Sequence, residues 1–396
     1  MLNFHYRNPA RIFFGDGAEN NMYDLLKEYK VTSLMFVYSG DFIKTLGIWD
    51  VIKDACDKLG IDFQECGEVV PNPKIELIRD LVKVCKEHKT DFVLAAGGGS
   101  SVDTAKSIAL GIPYDGDVWD FFDGSATPET AVPVGAITTL PASGSETSNA
   151  AIVSNGLMKL GFEDDMIIPK FAIMNPKYTM GLPAYQTSCG CADILSHLLE
   201  RYFSDVAHTD TTDYMIEGAV QAAMINAKRL MKDPANYDAR AEIQWLASVA
   251  HNGILDTGRA ADWGSHRIEH ELSAQYGITH GEGMAVILIA WCKYMAEVKP
   301  YKLAQLAVRV FDADPYNYTK KELAYILADK LKEFFQSLNL RTSLTEMEID
   351  DAHFEEMANR ATHNDTAPVG HYVPLHVKEF VEILKLAFVE ILKLAI

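Results

Sequence analysis

The chain has 396 residues, of which 48% are hydrophobic and 23% charged, and its formal net charge is -19. This length exceeds the usual size of one hydrophobic core, so two domains are expected, and the composition is that of a folded globular protein. The negative charge would repel phosphate backbones and anionic lipids, which argues against nucleic acid and membranes as partners.

The cysteine content and the N-terminus indicate the compartment. Six cysteines are too few for a disulfide framework in a chain of this length, which favours a reducing environment. Residues 1–14 lack the apolar stretch of a signal peptide, and no segment has the roughly 18 uninterrupted apolar residues of a membrane span. We therefore expect a cytoplasmic protein. Cys189 and Cys191 are spaced like a metal-binding pair, but without a second pair buried thiols are favoured.

The first part of the chain, up to Gly181, alternates short apolar runs with helical patterns. Residues 31–38, 92–96 and 132–138 are predicted strands. Ile75, Ile78 and Leu81 have helical spacing, and another helix is predicted to begin near Ser100. This alternation predicts an α/β domain built on a parallel sheet.

A glycine-rich segment, Gly97, Gly98, Gly99 and Ser100, follows the second of these strands and precedes a helix that carries Asp103. Glycines let the backbone approach a pyrophosphate closely, and a helix N-terminus favours negative charge. A tight structural turn is the alternative. The strand before the segment and the helix after it favour a phosphate-binding loop.

Hydroxyl side chains are concentrated in residues 138–146, directly after the third predicted strand. Open parallel sheets bind ligands at the carboxyl ends of their strands, so these hydroxyls are suited to a cofactor's ribose and phosphates. They are equally suited to capping the next turn, and the sequence does not choose between the two roles. Lys159, considered alone, is expected to be a solvated surface lysine.

From about Pro183 onward, long helical patterns replace the strand patterns. We place the domain boundary at Gly181–Pro183, where a glycine and a proline precede the first long helix. The predicted domains are an α/β domain over residues 1–181, a helical domain over 182–387, and a C-terminal extension over 388–396.

Five Asp and His residues in the helical half indicate a metal site. Asp193 and His197 are four residues apart and therefore lie on one helix face, as do His266 and His270. Gly277 is expected to end the second helix, so that His280 enters from a loop or a new helix. Each histidine alone is more typical of a hydrogen-bonded core residue. Together they suit Fe²⁺ or Zn²⁺ and permit Ni²⁺, Co²⁺ or Mn²⁺.

The C-terminus contains a direct repeat, because residues 380–387 and 388–395 are both FVEILKLA. An amphipathic assembly segment is one interpretation, and a recent duplication that extends the last helix is the favoured one. Eight residues advance a helix by roughly 800 degrees, so two copies in one helix cannot share an apolar face. An exposed second copy would promote self-association.

Taken together, these motifs resemble one family, the iron-containing (group III) alcohol dehydrogenases, and within it the NAD(P)H-dependent butanol dehydrogenases. The resemblance extends from about Phe4 to Ala387, and the spaced Asp and His residues are its specific part. It implies an N-terminal dinucleotide-binding domain, an all-α C-terminal domain, and a metal and substrate cleft between them. It further implies a small alcohol or aldehyde as substrate, and a homodimer is the expected assembly if the chain associates.

The resemblance also assigns roles to single residues. It implies one divalent metal, for which Fe²⁺ is favoured over Zn²⁺ and Ni²⁺, and a proton-relay role for His270. The metal ligands it implies are Asp193, His197, His266 and His280. The cofactor contacts it implies are Gly97, Gly98, Gly99, Ser100, Asp103, Thr138, Thr139, Ser143, Ser145 and Lys159. Asn149 and Trp263 are candidates for the substrate pocket, although core packing is an equal alternative for Trp263.

One segment departs from the family pattern. Many NADPH-using relatives have G-G-G-S-I-K after the first predicted strand, whereas this chain has Ser39, Gly40, Asp41, Phe42, Ile43 and Lys44. Asp41 would repel a ribose 2′-phosphate and accept hydrogen bonds from a 2′-hydroxyl. We therefore expect NAD to be preferred, with NADP as the alternative.

Two other functions fit the same features. A metal- and NAD-dependent synthase resembling dehydroquinate synthase would need several basic residues near the metal, and Arg267 is the only one between His266 and His280. A non-enzymatic assembly protein is suggested by the repeated tail and the helical half. The complete set of candidate ligands favours the dehydrogenase over both.

Overall fold

The computed structural model describes residues 1–388, which divide into two compact units. The sheet unit consists of Arg7–Leu182 and Ala235–Gly253. The helical unit consists of Met1–Tyr6, Pro183–Pro234 and the described residues from Ile254 onward. The division between Leu182 and Pro183 falls where the sequence changes from alternating to helical patterns, and the sheet unit also takes a short segment from the second half of the chain.

The sheet unit is built on six parallel strands in the order β1-β8-β5-β4-β2-β3. Every residue of β2, β4, β5 and β8 is buried, as expected for a parallel sheet that is covered on both faces. The predicted strands are confirmed, two of them starting two residues late. The strands are β1 Arg11–Phe14, β2 Ser33–Tyr38, β3 Asp62–Cys66, β4 Phe92–Gly97, β5 Val134–Thr138, β6 Ala150–Asn155, β7 Met158–Glu163 and β8 Phe171–Met174.

The remaining two strands, β6 and β7, form an antiparallel hairpin that the sequence analysis did not predict. The turn contains Gly156 with φ of 59°, a conformation that favours glycine. Lys159 lies on β7 and is only 7% exposed, so the expectation of a solvated surface lysine is wrong. Only one residue of β7, Lys159, is buried, so β7 lacks the continuous apolar run that identified the other strands.

Helices account for most of the remaining chain. They are α1 Met22–Glu28, α2 Phe42–Thr45, α3 Ile48–Leu59, α4 Ile75–Glu87, α5 Gly99–Gly111, α6 Trp119–Phe122, α7 Ala184–Tyr202, α8 Asp210–Lys232, α9 Tyr237–His251, α10 Gly264–Tyr276, α11 His280–Val298, α12 Tyr301–Phe311, α13 Lys320–Ser337, α14 Phe354–Ala361 and α15 Val377–Leu386.

Helices cover both faces of the sheet. Met35 and Val37 of β2 pack in one core with residues of α4 and α5, whereas the alternate residues Leu34 and Phe36 pack in another core with residues of α1 and α3. This alternation follows from the two-residue period of a strand. Helix α9 also belongs to the sheet unit, although it comes from the helical half of the sequence.

The helical unit contains α7, α8 and α10 to α15. Residues 187–202 of α7 are all buried, and α11 is buried over most of its length, so these two helices form the centre of the unit. Among residues 1–388, no helix is both long and apolar enough to cross a bilayer.

The first copy of the C-terminal repeat lies largely in α15, where Phe380, Ile383 and Leu384 are buried. Helix α15 ends at Leu386, and Phe388 stacks on Phe354 with ring centroids 5.6 Å apart. The rest of the second copy lies outside the described residues, and the interpretation of the repeat stays a prediction.

Candidate cofactor edge and metal centre

The glycine-rich segment lies at the topological switch point of the sheet. The chain moves from β2 outward to β3, then returns across β2 to β4 and continues in the opposite direction to β5. Open parallel sheets bind ligands where the direction of winding reverses. The carboxyl ends of β2 and β4 lie close together here, because a Cβ added at Gly97, the last residue of β4, would be 2.8 Å from Oγ of Ser39, which follows β2.

Two of the three glycines are required by close contacts at this edge. Gly97 has φ of 148°, and an added Cβ there would lie 2.4 Å from Ser101 Oγ. A Cβ at Gly99 would lie 2.3 Å from Ser143 Oγ. Gly98 precedes α5, whose first turn contains Ser100. The glycines thus open a concave backbone surface at a helix N-terminus, which is the arrangement that binds pyrophosphate.

Polar atoms near this surface fit a bound dinucleotide. Ser101 Oγ and Thr139 Oγ1 are buried, and neither has a hydrogen-bond partner among the described residues. A buried hydroxyl without a partner is costly, so such atoms in a cradle of glycines are suited to a polar ligand. The same edge contains Thr138, the last residue of β5 and the strand partner of Gly97.

Behind the edge, α5 holds the hydroxyl-rich loop through a buried polar network. Ser145 Oγ donates to Asp103 Oδ1 at 2.6 Å, and the fully buried Lys106 donates to Ser145 Oγ at 2.9 Å and to the Ala150 carbonyl at 2.7 Å. Burial lowers the pKa of Lys106 to about 8 and raises the pKa of Asp103. Both carboxylate oxygens of Asp103 are engaged, the second by the amide of Ile152 at 3.2 Å. Asp103 therefore helps to fix the position of the hydroxyl-rich loop through its hydrogen bond from Ser145.

The other predicted residues of the sheet unit occupy different positions. Asp41 is exposed and directly precedes α2, two residues after Ser39. Asn149 is partly buried, with its amide nitrogen 3.5 Å from Asp165 Oδ1. Lys159 lies near enough to Asp103 to lower the pKa of that carboxyl, against the effect of burial. The expected contacts of Asp41, Asn149 and Lys159 with cofactor or substrate stay predictions.

In the helical unit, the predicted metal ligands face one another. Asp193 and His197 lie one turn apart on the buried helix α7, and His197 Nε2 is 3.8 Å from Asp193 Oδ1. His266 lies in the first turn of α10, with Nε2 3.9 Å from the same oxygen. His280 is the first residue of α11, and its Nε2 is 3.3 Å away. Three imidazoles therefore surround one carboxylate oxygen.

The path of the chain between α10 and α11 brings His280 to this group. Gly277 follows α10 with φ of 67°, which ends the helix, and α11 begins at His280, as the sequence analysis expected. A Cβ added at Gly281 would lie 2.0 Å from the carbonyl oxygen of Cys189, so α11 contacts the backbone of α7. This contact places His280 opposite Asp193.

The donor set fits a divalent first-row metal ion. Ligand atoms of Asp193, His266 and His280 all lie within 4.8 Å of one another, and His197 lies beside this trio. Asp193 Oδ1 and His266 Nε2 are buried, and neither has a hydrogen-bond partner within the described part of the chain. Atoms bound about 2.0–2.2 Å from one cation are roughly 3–3.5 Å apart. The distance from Asp193 Oδ1 to His280 Nε2, 3.3 Å, lies in this range, and those to His197 and His266, 3.8 and 3.9 Å, are slightly longer. One carboxylate and three imidazoles suit iron or zinc.

The electrostatics favour an ionised carboxylate in this cluster. Burial by itself would raise the pKa of Asp193, but in the absence of a metal ion the positive charges of protonated His197 and His280 outweigh burial and hold the pKa below its ordinary value. A metal ion bound there would need the same deprotonated carboxylate together with neutral imidazoles, and its charge would take the place of the imidazole protons.

Two buried glutamates that the sequence analysis missed orient the histidines. Glu200 Oε1 accepts from His266 Nδ1 at 3.0 Å and from the His266 amide at 3.0 Å. Glu269 Oε2 contacts Nδ1 of His280. Each carboxylate fixes the proton on Nδ1, so the Nε2 lone pair is directed toward Asp193. The signal in the sequence was Glu200, one turn after His197 on the same helix face.

Two predicted residues lie at the border of the cluster. The partly exposed ring of His270 has its centroid 5.6 Å from that of His280. The partly exposed ring of Trp263 is 5.2 Å from the ring of His266. Trp263 has φ of 62°, and its amide donates to Glu200 Oε2 at 2.7 Å. The structure thus places both beside the candidate metal ligands, and the roles of His270 and Trp263 stay predictions.

We expect Glu200→Gln and Glu269→Gln to weaken metal binding by about 10- to 100-fold each, because the amide no longer provides a charged acceptor for the ligand imidazole. The rate of metal release to a chelator, followed by absorbance, measures this effect. Glu356→Gln, which changes a glutamate in a surface pair with His353, serves as the control. Metal release at the wild-type rate from both variants would contradict the orienting role.

Comparisons with known proteins cover both units. Residues 9–176 match the family model for iron-containing alcohol dehydrogenase, and residues 187–388 match the model for the C-terminal part of the Fe-containing alcohol dehydrogenase family. The probable NADH-dependent butanol dehydrogenase 1 of Bacillus subtilis is 36% identical over 97% of this chain and 99% of its own length. The NADPH-dependent aldehyde reductase of Escherichia coli is 31% identical over 93% and 95%.

A similar structure has also been solved. The crystal structure of NADH-dependent butanol dehydrogenase A from Thermotoga maritima superposes with a TM-score of 0.93 at 33% identity, covering 98% of this chain and 99% of that one. The similarity therefore extends over the whole fold.

Proposed function

The chain belongs to the iron-containing alcohol dehydrogenase family, and from this premise we propose that it interconverts small primary alcohols and aldehydes with NAD(H) as the preferred cofactor. The relatives include both NADH-dependent butanol dehydrogenases and an NADPH-dependent aldehyde reductase, so the chain is an NAD(P)-dependent oxidoreductase. That the substrate has a short carbon chain, and that NAD is preferred over NADP, are parts of the proposal.

One observation carries the proposal, namely the group of imidazoles around Asp193 Oδ1. We assign metal ligation to Asp193, His197, His266 and His280, with Fe²⁺ as the favoured ion. When bound, such an ion supplies Lewis acidity, which polarises a carbonyl and lowers the pKa of an alcohol. Glu200 and Glu269 keep the Nδ1 protons in place, so the ligand nitrogens are preorganised.

The remaining residues near the cluster are proposed to handle substrate and protons. His270 is partly exposed and lies beside His280, so its imidazole is suited to pass a proton between solvent and the reacting oxygen. Trp263 presents an aromatic edge next to His197 and His266, which favours a small apolar substrate. Asn149 stays a candidate substrate contact.

At the cofactor edge, the glycine cradle and the start of α5 would bind the pyrophosphate of NAD(P)H, which supplies the hydride. Ser143, Thr138 and Thr139 are proposed to contact the cofactor. Asp103, Ser145 and Lys159 are also proposed as cofactor contacts, and the hydrogen bond between Asp103 and Ser145 additionally supports that surface.

The function is tested by metal analysis of the purified enzyme combined with NADH and NADPH oxidation assays over a panel of short aldehydes. We expect about one divalent ion per chain and turnover of butanal with NADH. Turnover with a sugar phosphate and none with any aldehyde would contradict the proposal and favour the synthase alternative. The family relationship supports the dehydrogenase over that alternative and over an assembly protein.

Asp41→Asn tests the proposed cofactor preference. We expect the ratio of kcat/KM for NADPH to that for NADH to rise by roughly tenfold, because the substitution removes a negative charge that would repel a 2′-phosphate. Lys44, three residues later, is unchanged in this variant, and its positive charge would favour the 2′-phosphate of NADPH. Asp50→Asn, at an exposed position on α3, should leave the ratio unchanged. An unchanged ratio in Asp41→Asn would refute the role of Asp41.

A further inference from the structure

Helix α9 contacts the hydroxyl-rich loop, although about a hundred residues separate them in sequence. Gln244, Ser248 and His251 are spaced by four and three residues and lie on one face of α9. Each of them makes a hydrogen bond to the segment from Thr138 to Glu146. Both partners belong to the sheet unit.

The three contacts are distributed along the loop. Gln244 Nε2 donates to the carbonyl of Thr138 at 3.1 Å, where β5 ends. Ser248 Oγ donates to Glu146 Oε1 at 2.5 Å. His251 Nδ1 lies 2.6 Å from the carbonyl oxygen of Ser143, so this nitrogen carries the proton and donates.

The backbone of the loop also lies directly against α9. Gly144 has φ of 65°, and a Cβ added there would be 2.3 Å from the carbonyl oxygen of Ala247 and 2.9 Å from His251 Cβ. Gln244 and Ser248 are fully buried, so water does not replace their hydrogen bonds. The loop therefore has no room to shift toward α9.

On its other side, the same loop meets the glycine cradle. Ser143 Oγ would be only 2.3 Å from a Cβ at Gly99, and Ser145 is bonded to Asp103 and Lys106 of α5. A displacement of Ser143 by a few tenths of an ångström would change the shape of the cradle. Ser143 therefore accepts the hydrogen bond from His251 and also packs against the proposed phosphate-binding backbone at Gly99.

We propose that α9 is the positioning element of the cofactor loop, and that His251, Ser248 and Gln244 set the affinity for the dinucleotide without contacting the aldehyde. This inference rests on the proposed cofactor role of the glycine cradle and of Ser143. It assigns a function to a helix that the sequence places among the metal-binding helices. In this arrangement, His251 is a positioning residue that acts through Ser143.

His251→Leu removes the donor, and His251→Asn restores one, because the asparagine Nδ2 occupies the position of the imidazole Nδ1. The dissociation constant of NADH is measured by fluorescence titration of the metal-loaded enzyme, together with KM values for NADH and butanal and the metal content. His88→Leu is the matched control, since His88 lies in the same unit and pairs with Asp62 at the surface.

We expect His251→Leu to raise the dissociation constant and the KM for NADH by about tenfold, and His251→Asn to stay within about twofold of wild type. The KM for butanal, the metal content and the His88→Leu control should be unchanged. If His251→Leu does not fold, Ser248→Ala, which removes the donor to Glu146, is expected to change NADH binding in the same direction.

Three outcomes would overturn the inference: wild-type NADH affinity in both His251→Leu and Ser248→Ala, an asparagine variant as weak as the leucine variant, or a parallel change in butanal KM and metal content. If the wild-type enzyme itself binds neither NADH nor NADPH, the proposed function fails and the inference fails with it. Wild-type binding with no effect of the variants rejects the inference alone.

Discussion

Replacing Asp193 with alanine is expected to abolish metal binding and to lower kcat/KM for butanal by roughly a thousandfold or more, because a Lewis acid contributes several kcal/mol to the transition state. Asp193 Oδ1 faces the Nε2 atoms of three histidines, and Asp193 is the one carboxylate among the four proposed ligands. Without its negative charge, the buried imidazoles of His197 and His266 and the partly exposed imidazole of His280 would have to bind a divalent ion without charge compensation.

Metal content by plasma emission spectrometry and steady-state kinetics measure these two effects. His353→Ala is the control, because His353 pairs with Glu356 at the surface of the same unit. Circular dichroism separates loss of the metal from loss of the fold. An Asp193→Ala enzyme that retains one ion per chain and wild-type turnover would refute the ligand assignment.

Gly281→Ala is expected to destabilise the enzyme by at least about 2 kcal/mol and to reduce its metal content, since overpacking against a rigid partner costs about 1–3 kcal/mol or more. The added Cβ would lie 2.0 Å from the carbonyl oxygen and 2.6 Å from the carbonyl carbon of Cys189. Both are backbone atoms of α7, so α11 must move away, and His280 moves with it.

Urea unfolding and metal analysis test this prediction, and Gly218→Ala is its matched control. Gly218 lies within α8, is exposed, and an added Cβ there would have no neighbour within 4 Å. Alanine is favoured over glycine in a helix by up to about 1 kcal/mol, so this variant should be slightly more stable. Equal stability of the two variants would show that the contact between α7 and α11 is not tight.

The contacts of Glu200 with His266 and of Glu269 with His280 could not be predicted from the sequence. Glu200 is one turn from His197, but no pattern indicates that its carboxylate would meet His266, which is 66 residues away. The candidate ligands themselves were recognisable because Asp193 and His197 share a helix face and because the spacing resembles a known family. Helical spacing is local, whereas the partner of an Nδ1 atom depends on how helices pack.

Lys159 and α9 illustrate the same limit in the sheet unit. A lysine in a polar stretch is expected to be solvated, yet the hairpin buries it beside Asp103. Helix α9 has the helical pattern of its neighbours in sequence, and only the hydrogen bonds of Gln244, Ser248 and His251 show that it packs against the hydroxyl-rich loop.

The sequence alone determined the α/β and helical parts, the candidate phosphate-binding loop, the candidate ligands and the family resemblance, because periodicity, glycine placement and motif spacing are local properties of the chain. Only the tertiary structure decided which atoms meet. The convergence of α7, α10 and α11 on Asp193 Oδ1, the hydrogen bonds from the histidines to Glu200 and Glu269, and the contacts of α9 with the hydroxyl-rich loop all depend on packing between residues far apart in sequence. Such packing results from the burial of whole helix faces, and no short pattern encodes it.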